Sequence, residues 1–95
     1  MEITIQDICA YATCKVRLAK SQDIRLKHGE NCIVLFEIGD YYEAYGDSAN
    51  DLGDVLQQHV EDDRGTSKFL LLKNKDYAYL PKLIKAGYKV CIIEE

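Results

Sequence analysis

Residues 39–45 read Gly-Asp-Tyr-Tyr-Glu-Ala-Tyr and combine aromatic rings with a carboxylate directly after a Gly-Asp pair. If this segment is a strand, alternation places Tyr41, Glu43 and Tyr45 on one face, with neighbours about 6.6 Å apart. Such a ring could insert between nucleic-acid bases, while the carboxylate accepts a hydrogen bond from a base edge or shares a proton with it. The alternative is that the tyrosines cover a half-buried sheet and Glu43 faces water.

Motifs of common catalytic centres are absent from the sequence. It contains no GxxxxGK[ST] loop, no HExxH pair and no GxSxG elbow. His28 and His59 lack a relay partner at a suitable spacing, so we predict surface positions for both. No CxxC pair occurs, and reduced thiols in the core are predicted for Cys9, Cys14, Cys32 and Cys91. We therefore expect no enzyme, cofactor or metal site; a hydrolase has only scattered carboxylates in its favour.

The composition indicates one small acidic domain. The chain has 95 residues, 47% of them hydrophobic, with 16 acidic and 12 basic side chains and a net charge of −4. We expect a single domain over residues 1–95. The acidity argues against binding nucleic acid by charge alone, although it allows a directional contact. The first residues do not resemble a signal peptide, and no apolar run is long enough to span a membrane. We therefore expect the chain to be soluble and cytoplasmic.

A long helix is predicted at the start of the chain. From Thr4 to about Lys20, apolar residues recur at helical spacing: Ile5, Ile8, Cys9, Ala12, Val16 and Ala19. Thr4 and Asp7 resemble a capping box. The stripe loses phase at residues 21–23, which predicts a bend or restart before the helix ends at Gly29. Its basic residues are interpreted as a solvated face, with a phosphate-binding stripe as the alternative: Lys15, Arg17, Lys20, Arg25 and Lys27.

A hairpin and a second helix are predicted next. Residues 32–38 form an apolar run typical of a buried strand, and the two-residue connection at 39–40 predicts a type II′ hairpin. Asp47 is predicted to cap a helix with apolar positions as far as Val60. Gly53 weakens this helix by about 1 kcal/mol relative to Ala and marks close packing. Residues 61–66 are predicted to be an exposed loop.

The last third of the chain predicts a strand, a helix and a strand. Residues 69–72 suit a central strand, and residues 74–76 a turn. Pro81 in a first helical turn places the start of the last helix near Leu80, and Gly87 ends it before a strand at 90–93. The predicted fold class is α/β: a mixed sheet of about four strands, beginning with an antiparallel hairpin and flanked by about three to four helices.

Two segments resemble a known family. Residues 33–49 contain an apolar strand, Gly-Asp-Tyr-Tyr-Glu and then Asp-x-Ala at a helix start; residues 79–95 contain Tyr-Leu-x-Lys-Leu, a Gly stop and a Val-x-Ile-x-Glu strand. Both are similar to the N-terminal mismatch-recognition domain of the MutS family, MutS domain I. The resemblance covers most of the chain from the first helix onward.

The resemblance implies DNA-binding roles for four residues. Tyr41 stands where the family has a Phe that stacks on a mismatched base, and Glu43 where it has a Glu that hydrogen-bonds the base. Gly39 and Asp40 precede them in the same motif. The Tyr41 hydroxyl would need a partner inside the base stack, which makes insertion less favourable.

We therefore arrive at two functional hypotheses. The first is a stand-alone, non-enzymatic domain that binds mismatched or distorted double-stranded DNA weakly, without ATP, metal or membrane. The alternative is a protein-protein interaction module that kept the fold and lost DNA binding, favoured by the acidic residues Asp54, Glu61, Asp62 and Asp63. The first hypothesis requires Tyr42 to be more buried than Tyr41, because an inserting ring must be accessible.

Overall fold

A five-stranded mixed sheet with helices on both faces forms the fold. The computed structural model describes the backbone of residues 5–94 and the side chains of residues 13–75 and 78–94. Within this part of the chain the elements are α1 (Ile5–His28), β1 (Cys32–Ile38), β2 (Tyr41–Tyr45), α2 (Asp47–Leu56), β3 (Glu61–Asp63), β4 (Thr66–Leu72), a 3₁₀ turn (Lys73–Lys75), α3 (Asp76–Lys85) and β5 (Lys89–Glu94). The strand order is β3-β4-β2-β1-β5. The predicted α/β class is confirmed, with one strand more than expected.

The hairpin that carries the tyrosine motif forms as predicted. β1 and β2 pair antiparallel, with Ile38 opposite Tyr41. Gly39 has a φ of +58°, whereas the φ of Asp40 is not positive, which is the type II′ combination. The Lys73 N–H donates to the Asp40 carbonyl at 3.0 Å and ties this turn to the end of β4.

Two hydrophobic clusters lie on opposite faces of the sheet. Helices α2 and α3 cover one face, where the buried residues are Ile33, Leu35, Tyr42, Ala44, Ala49, Leu52, Phe69, Leu71, Tyr79 and Leu83. Helix α1 covers part of the other, where they are Cys14, Cys32, Val34, Phe36 and Tyr45. β1 contributes to both, so its continuous apolar run follows from its position inside the sheet, between β2 and β5. Among the described residues, no helix is long and apolar enough to cross a membrane.

Helix α1 corrects two predictions. Of the bend or restart expected at residues 21–23, the restart is wrong, because the helix is continuous there. Its buried face passes through Cys14 and Ser21, whereas Val16 and Ala19 of the predicted stripe are exposed. The buried Ser21 hydroxyl has a hydrogen-bond partner in the Ser48 hydroxyl, 3.5 Å away. Because this face includes a polar residue, a count of apolar residues misses it. The proposed Thr4–Asp7 capping box and the stripe residues before position 13 lie outside the described side chains.

Helix α2 differs from its prediction at both ends. Gly46, not Asp47, is the N-cap residue, and no side-chain capping bond forms there. The helix ends at Leu56, because Gln57 adopts the left-handed conformation. Val60 lies beyond the helix and packs back onto Gly53, which confirms the close packing expected at that glycine.

The predicted loop at 61–66 is wrong, since it contains a short edge strand. β3 pairs with β4 through Glu61 opposite Lys68 and Asp63 opposite Thr66. Arg64 and Gly65 connect them with φ values of +53° and +86°, as in a type I′ hairpin. Arg-Gly is a weaker turn signal than Asn-Gly or Asp-Gly, so the pattern predicted only a loop.

Helix α3 begins earlier than predicted and ends where expected. It starts at Asp76, directly after the 3₁₀ turn, so Pro81 lies inside the helix rather than in its first turn. Gly87, with a φ of +91°, confirms the predicted stop. Its N–H donates to the Ile84 carbonyl, and the Tyr88 N–H donates to the Leu83 carbonyl, both at 3.0 Å. These two bonds form a Schellman motif.

Replacing Gly53 by Ala should destabilise the fold. A Cβ atom at this position would lie 2.3 Å from Val60 Cγ2 and 3.1 Å from the Gln58 carbonyl oxygen. Overpacking costs about 1–3 kcal/mol, more than the roughly 1 kcal/mol that Ala adds in helix propensity. We expect a net loss of up to about 2 kcal/mol in the free energy of unfolding, measured in urea. Adding Val60→Ala should recover part of it; a Gly53→Ala protein as stable as the original would contradict the close packing.

Candidate nucleic-acid interface

Strand β2 runs from an open part of the sheet into the part covered by α1. Tyr41 is 41% exposed, whereas Tyr42, on the opposite face, is 9% exposed and belongs to the core under α2 and α3. The prediction that Tyr42 is the more buried ring is therefore confirmed. Tyr45 is buried and contacts the Phe36 ring edge to face, with 5.8 Å between centroids.

Exposed apolar side chains lie beside the Tyr41 ring. Leu72 lies opposite Tyr41 on β4, and Leu70 lies opposite Glu43. Both leucines are exposed. We call Tyr41, Leu70 and Leu72 the open strip. An exposed apolar surface next to polar groups is typical of a contact surface.

Glu43 is held in a network of donors rather than facing water. Its side chain is 14% exposed. Oε2 accepts hydrogen bonds from Arg17 Nη1 at 3.3 Å and from the Tyr45 hydroxyl. Oε1 lies 3.5 Å from Lys68 Nζ. The structure thus brings Tyr41 and Glu43 onto one face, as predicted, and contradicts the alternative of a solvated Glu43.

Gly39 and Asp40 form the turn that presents Tyr41. A hollow of about 290 Å³ lies beside the ring and is lined by Asp40, Tyr41, Leu72, Lys73 and Asn74. Lys73 Nζ forms an ion pair with Glu37 Oε1 at 3.2 Å and lies 5.6 Å from the centre of the Tyr42 ring. The Lys73 ammonium group therefore lies on the Tyr42 face of the sheet, opposite the open strip.

The basic residues of α1 are not a uniformly solvated face. Arg25 donates to the Cys32 carbonyl at 2.8 Å and to the Asp51 carboxylate at 2.9 Å. Lys15 donates to the Thr66 hydroxyl at 3.2 Å, and Arg17 contacts Glu43. The interpretation as a solvated face is wrong for these three residues, because the helix phase turns them toward the sheet and α2. It holds for Lys20 and Lys27, which are exposed.

The histidines and cysteines lie largely where the sequence placed them. His28 and His59 are exposed, as predicted. Cys14 and Cys32 are buried thiols and Cys91 is half-buried, while Cys9 lies outside the described side chains. Burial, with a smaller effect of neighbouring Cys91, raises the pKa of Cys32. In the part of the chain that the structure describes, no group of three or more His, Cys, Asp or Glu is arranged to hold a metal ion.

The buried Tyr45 hydroxyl should make the folded protein less stable at alkaline pH. Burial, and then its hydrogen bond to Glu43, raise the pKa of Tyr45 well above its ordinary value. In the unfolded chain a tyrosine loses its proton near pH 10, while folded Tyr45 keeps it. Unfolding therefore releases a proton above about pH 10, and stability falls as the pH rises.

We expect the free energy of unfolding to fall more steeply above about pH 10 in the wild type than in Tyr45→Phe. Urea unfolding of both proteins at several pH values tests this, because the other six tyrosines are common to both. Parallel pH profiles would contradict it.

The comparisons with known proteins give one family. A family model described as MutS domain I matches residues 20–95. The DNA mismatch repair protein MutS of Fervidobacterium nodosum is 38% identical over 77 residues, covering 77% of this chain and 9% of that protein. That of Parabacteroides distasonis is 34% identical over 79 residues, covering 77% and 9%. That of Thermotoga maritima is 32% identical over 82 residues, covering 85% and 10%. The chain spans about a tenth of the length of these relatives.

Proposed function

Since the chain belongs to the MutS domain I family, we propose that it binds mismatched or distorted double-stranded DNA weakly and without catalysis. Tyr41 stacks on a base that has lost its regular pairing, and Glu43 accepts a hydrogen bond from that base. Gly39 and Asp40 hold the turn from which Tyr41 projects. The relatives named above are DNA mismatch repair proteins, which supports a DNA ligand for this chain.

The observation that carries this proposal is the exposed Tyr41 ring beside Glu43. An inserting ring must reach solvent, and 41% of Tyr41 does. Leu70 and Leu72 provide an apolar floor on which a displaced base or sugar can rest. Stacking of a base on an aromatic side chain is worth about 1–3 kcal/mol.

Local charge supports the proposal even though the chain carries a net charge of −4. Arg17 and Lys68 both contact the single carboxylate of Glu43. Two cations and one carboxylate therefore border the proposed site. The overall acidity still opposes phosphate binding, so affinity should lie near the millimolar to high-micromolar range.

A nuclear magnetic resonance titration tests the proposal. The ¹⁵N-labelled chain is titrated at low salt with a duplex containing one mismatch and with the fully paired duplex of the same length. We expect the amide signals of residues 39–45 and 70–72 to shift, and to shift further with the mismatch. If neither duplex moves these signals, the chain does not bind DNA through this surface.

A second candidate function is favoured by the outer face of α1. Val16 is 63% exposed and Leu26 85% exposed, and Ala19 between them is also exposed. An exposed apolar helix face that does not pack against the sheet is typical of a protein-binding surface. This candidate predicts a protein partner whose capture from a native lysate is insensitive to nuclease and is lost in Val16→Glu. Nuclease-sensitive capture, unchanged in Val16→Glu, would contradict it.

A further inference from the structure

We propose that strand β5 is a self-association surface, through which two copies of this chain pair antiparallel and join their sheets into one. β5 lies at one end of the strand order, and in the described part of the chain only β1 pairs with it. An end strand presents a row of main-chain donors and acceptors with which another strand can pair. β1 separates β5 from β2, so this surface is distinct from the proposed DNA site and does not depend on it.

The two edges of the sheet differ in how well they are protected against pairing. β3, at the other end, consists of three acidic residues, whose charges oppose the approach of a further strand. In β5 the charges lie only at the ends, at Lys89 and Glu94, and residues 90–93 are apolar. β5 contains no proline or glycine, and it pairs with β1 in one unbroken register. The usual obstacles to edge pairing are therefore missing from β5.

Half of the main-chain groups of β5 face away from β1. The Lys89 N–H donates to the Asn31 carbonyl at 2.8 Å, so the main-chain groups of Lys89 face β1. These groups alternate in direction along a strand, and every second residue after Lys89 therefore faces β1 as well. The residues whose main-chain groups face outward are Val90, Ile92 and Glu94. Each offers one N–H donor and one carbonyl acceptor to a neighbouring strand.

The charges of β5 identify a second copy of the chain as the partner. Lys89 at the beginning of the strand and Glu94 at its end are both exposed. In an antiparallel pair, Lys89 of each copy lies toward the Glu94 end of the other, where the opposite charges attract. A parallel pair would bring the two lysines together and the two glutamates together. β5 is therefore complementary to itself when a two-fold axis relates the copies.

The register follows from which outward groups are available. A two-fold axis perpendicular to the sheet keeps corresponding side chains on the same face. A pair centred on Ile92 places Val90 opposite Glu94 and uses every outward group. A pair centred on Cys91 would place Glu94 opposite Tyr88, whose N–H already donates to a carbonyl of α3 at 3.0 Å. We therefore expect the pair to be centred on Ile92, whose side chain is 46% exposed in the single chain and would be covered by its counterpart.

Sedimentation equilibrium of the intact chain tests the association. Because the interface is a single pair of short strands, we expect a weak and reversible dimer. The chain should be mainly monomeric at about 10 μM and contain a substantial share of dimer at about 1 mM. A chain that remains monomeric throughout this range would overturn the proposal.

Two substitutions at Ile92 test the surface directly. Ile92→Lys brings two like charges together at the axis and should weaken association at least about tenfold. Ile92→Pro removes an outward N–H while keeping the bonds to β1, so it should also give a monomer. As a control, Leu70→Lys makes the same change of charge on β4, at a leucine that is 48% exposed, and should leave association unchanged. Amide spectra show whether each variant is folded.

Disulfide formation tests the register. A pair centred on Ile92 places residue 93 of one copy opposite Cys91 of the other, with about 4.5 Å between Cα atoms, a separation that a disulfide can span. Ile93→Cys should therefore form a covalent dimer with oxidised glutathione, which takes up the two electrons and two protons of the thiols. Wild type should form none, and adding Cys91→Ser should prevent it. An Ile93→Cys protein that associates without this crosslink would overturn the register.

The outcomes separate this inference from the proposed function. Association that persists unchanged in both Ile92→Lys and Ile92→Pro would show that the copies meet elsewhere, and it would overturn the role of β5. DNA binding is read independently, from the amide signals of residues 39–45 in the titration described above.

Discussion

Replacing Arg25 by Met should lower the free energy of unfolding by about 2–4 kcal/mol, because one buried guanidinium joins three parts of the fold. Arg25 is 12% exposed and forms an ion pair with Asp51 of α2 at 2.9 Å. It also donates to the Cys32 and Glu30 carbonyls and to the Ser48 hydroxyl. Met fills much of the same volume but leaves these acceptors without their donor. Urea unfolding measures the loss.

A control on the same helix separates this effect from loss of charge. Lys27 forms an exposed ion pair with Asp23 at 3.2 Å, four residues apart, and Lys27→Met should cost less than about 0.5 kcal/mol. Arg25→Lys should fall between the two, since it keeps the charge and loses the planar fork of donors. If Arg25→Met and Lys27→Met lose the same small amount, Arg25 does not anchor α1 to the sheet.

Replacing Tyr41 by Ala should abolish mismatch binding, and replacing it by Phe should strengthen it. Ala removes stacking worth about 1–3 kcal/mol, enough to take an affinity near the millimolar range beyond detection. Phe keeps the ring and removes a hydroxyl that would need a partner inside the base stack. The measurement is the amide titration with the mismatched duplex. Tyr41 is exposed, so neither variant should change stability appreciably.

Leu26→Ala provides a matched control for the Tyr41 variants. Leu26 is a large exposed apolar residue on α1, away from the open strip, and its removal should leave DNA affinity unchanged. Equal affinities for wild type, Tyr41→Phe and Tyr41→Ala would show that this ring does not touch the base. That result would favour the protein-interaction function.

Elements with strong local signals were predictable from the sequence. The apolar run of β1, the Gly39-Asp40 turn and the Gly87 stop each depend on a few neighbouring residues, and the structure confirms all three. β3 was missed because it consists of three acidic residues, and only its pairing with β4 makes it a strand. The phase of α1 was missed because its buried face includes Ser21, whose hydrogen-bond partner is the distant Ser48.

The candidate site was predictable in its outline and not in its chemistry. Alternation along β2 correctly separated the face of Tyr41 and Glu43 from that of Tyr42. The partners of Glu43 could not be predicted, because Arg17 precedes it by a whole helix and a strand, and Lys68 reaches it only through the β2–β4 pairing. Such contacts follow from tertiary packing, which the pattern of neighbouring residues in the sequence does not predict.

The parallel pairing of β1 with β5 has a consequence for how the chain folds during synthesis. The β1–β2 and β3–β4 hairpins join neighbouring segments and can form early. Cys32, however, lies opposite Lys89, so one edge of β1 stays open until β5 has emerged from the ribosome, more than fifty residues after β1 begins. Closing so long a loop is entropically costly and slows folding. A nascent chain stalled before β5 would expose the apolar edge of β1 and become a substrate for chaperones.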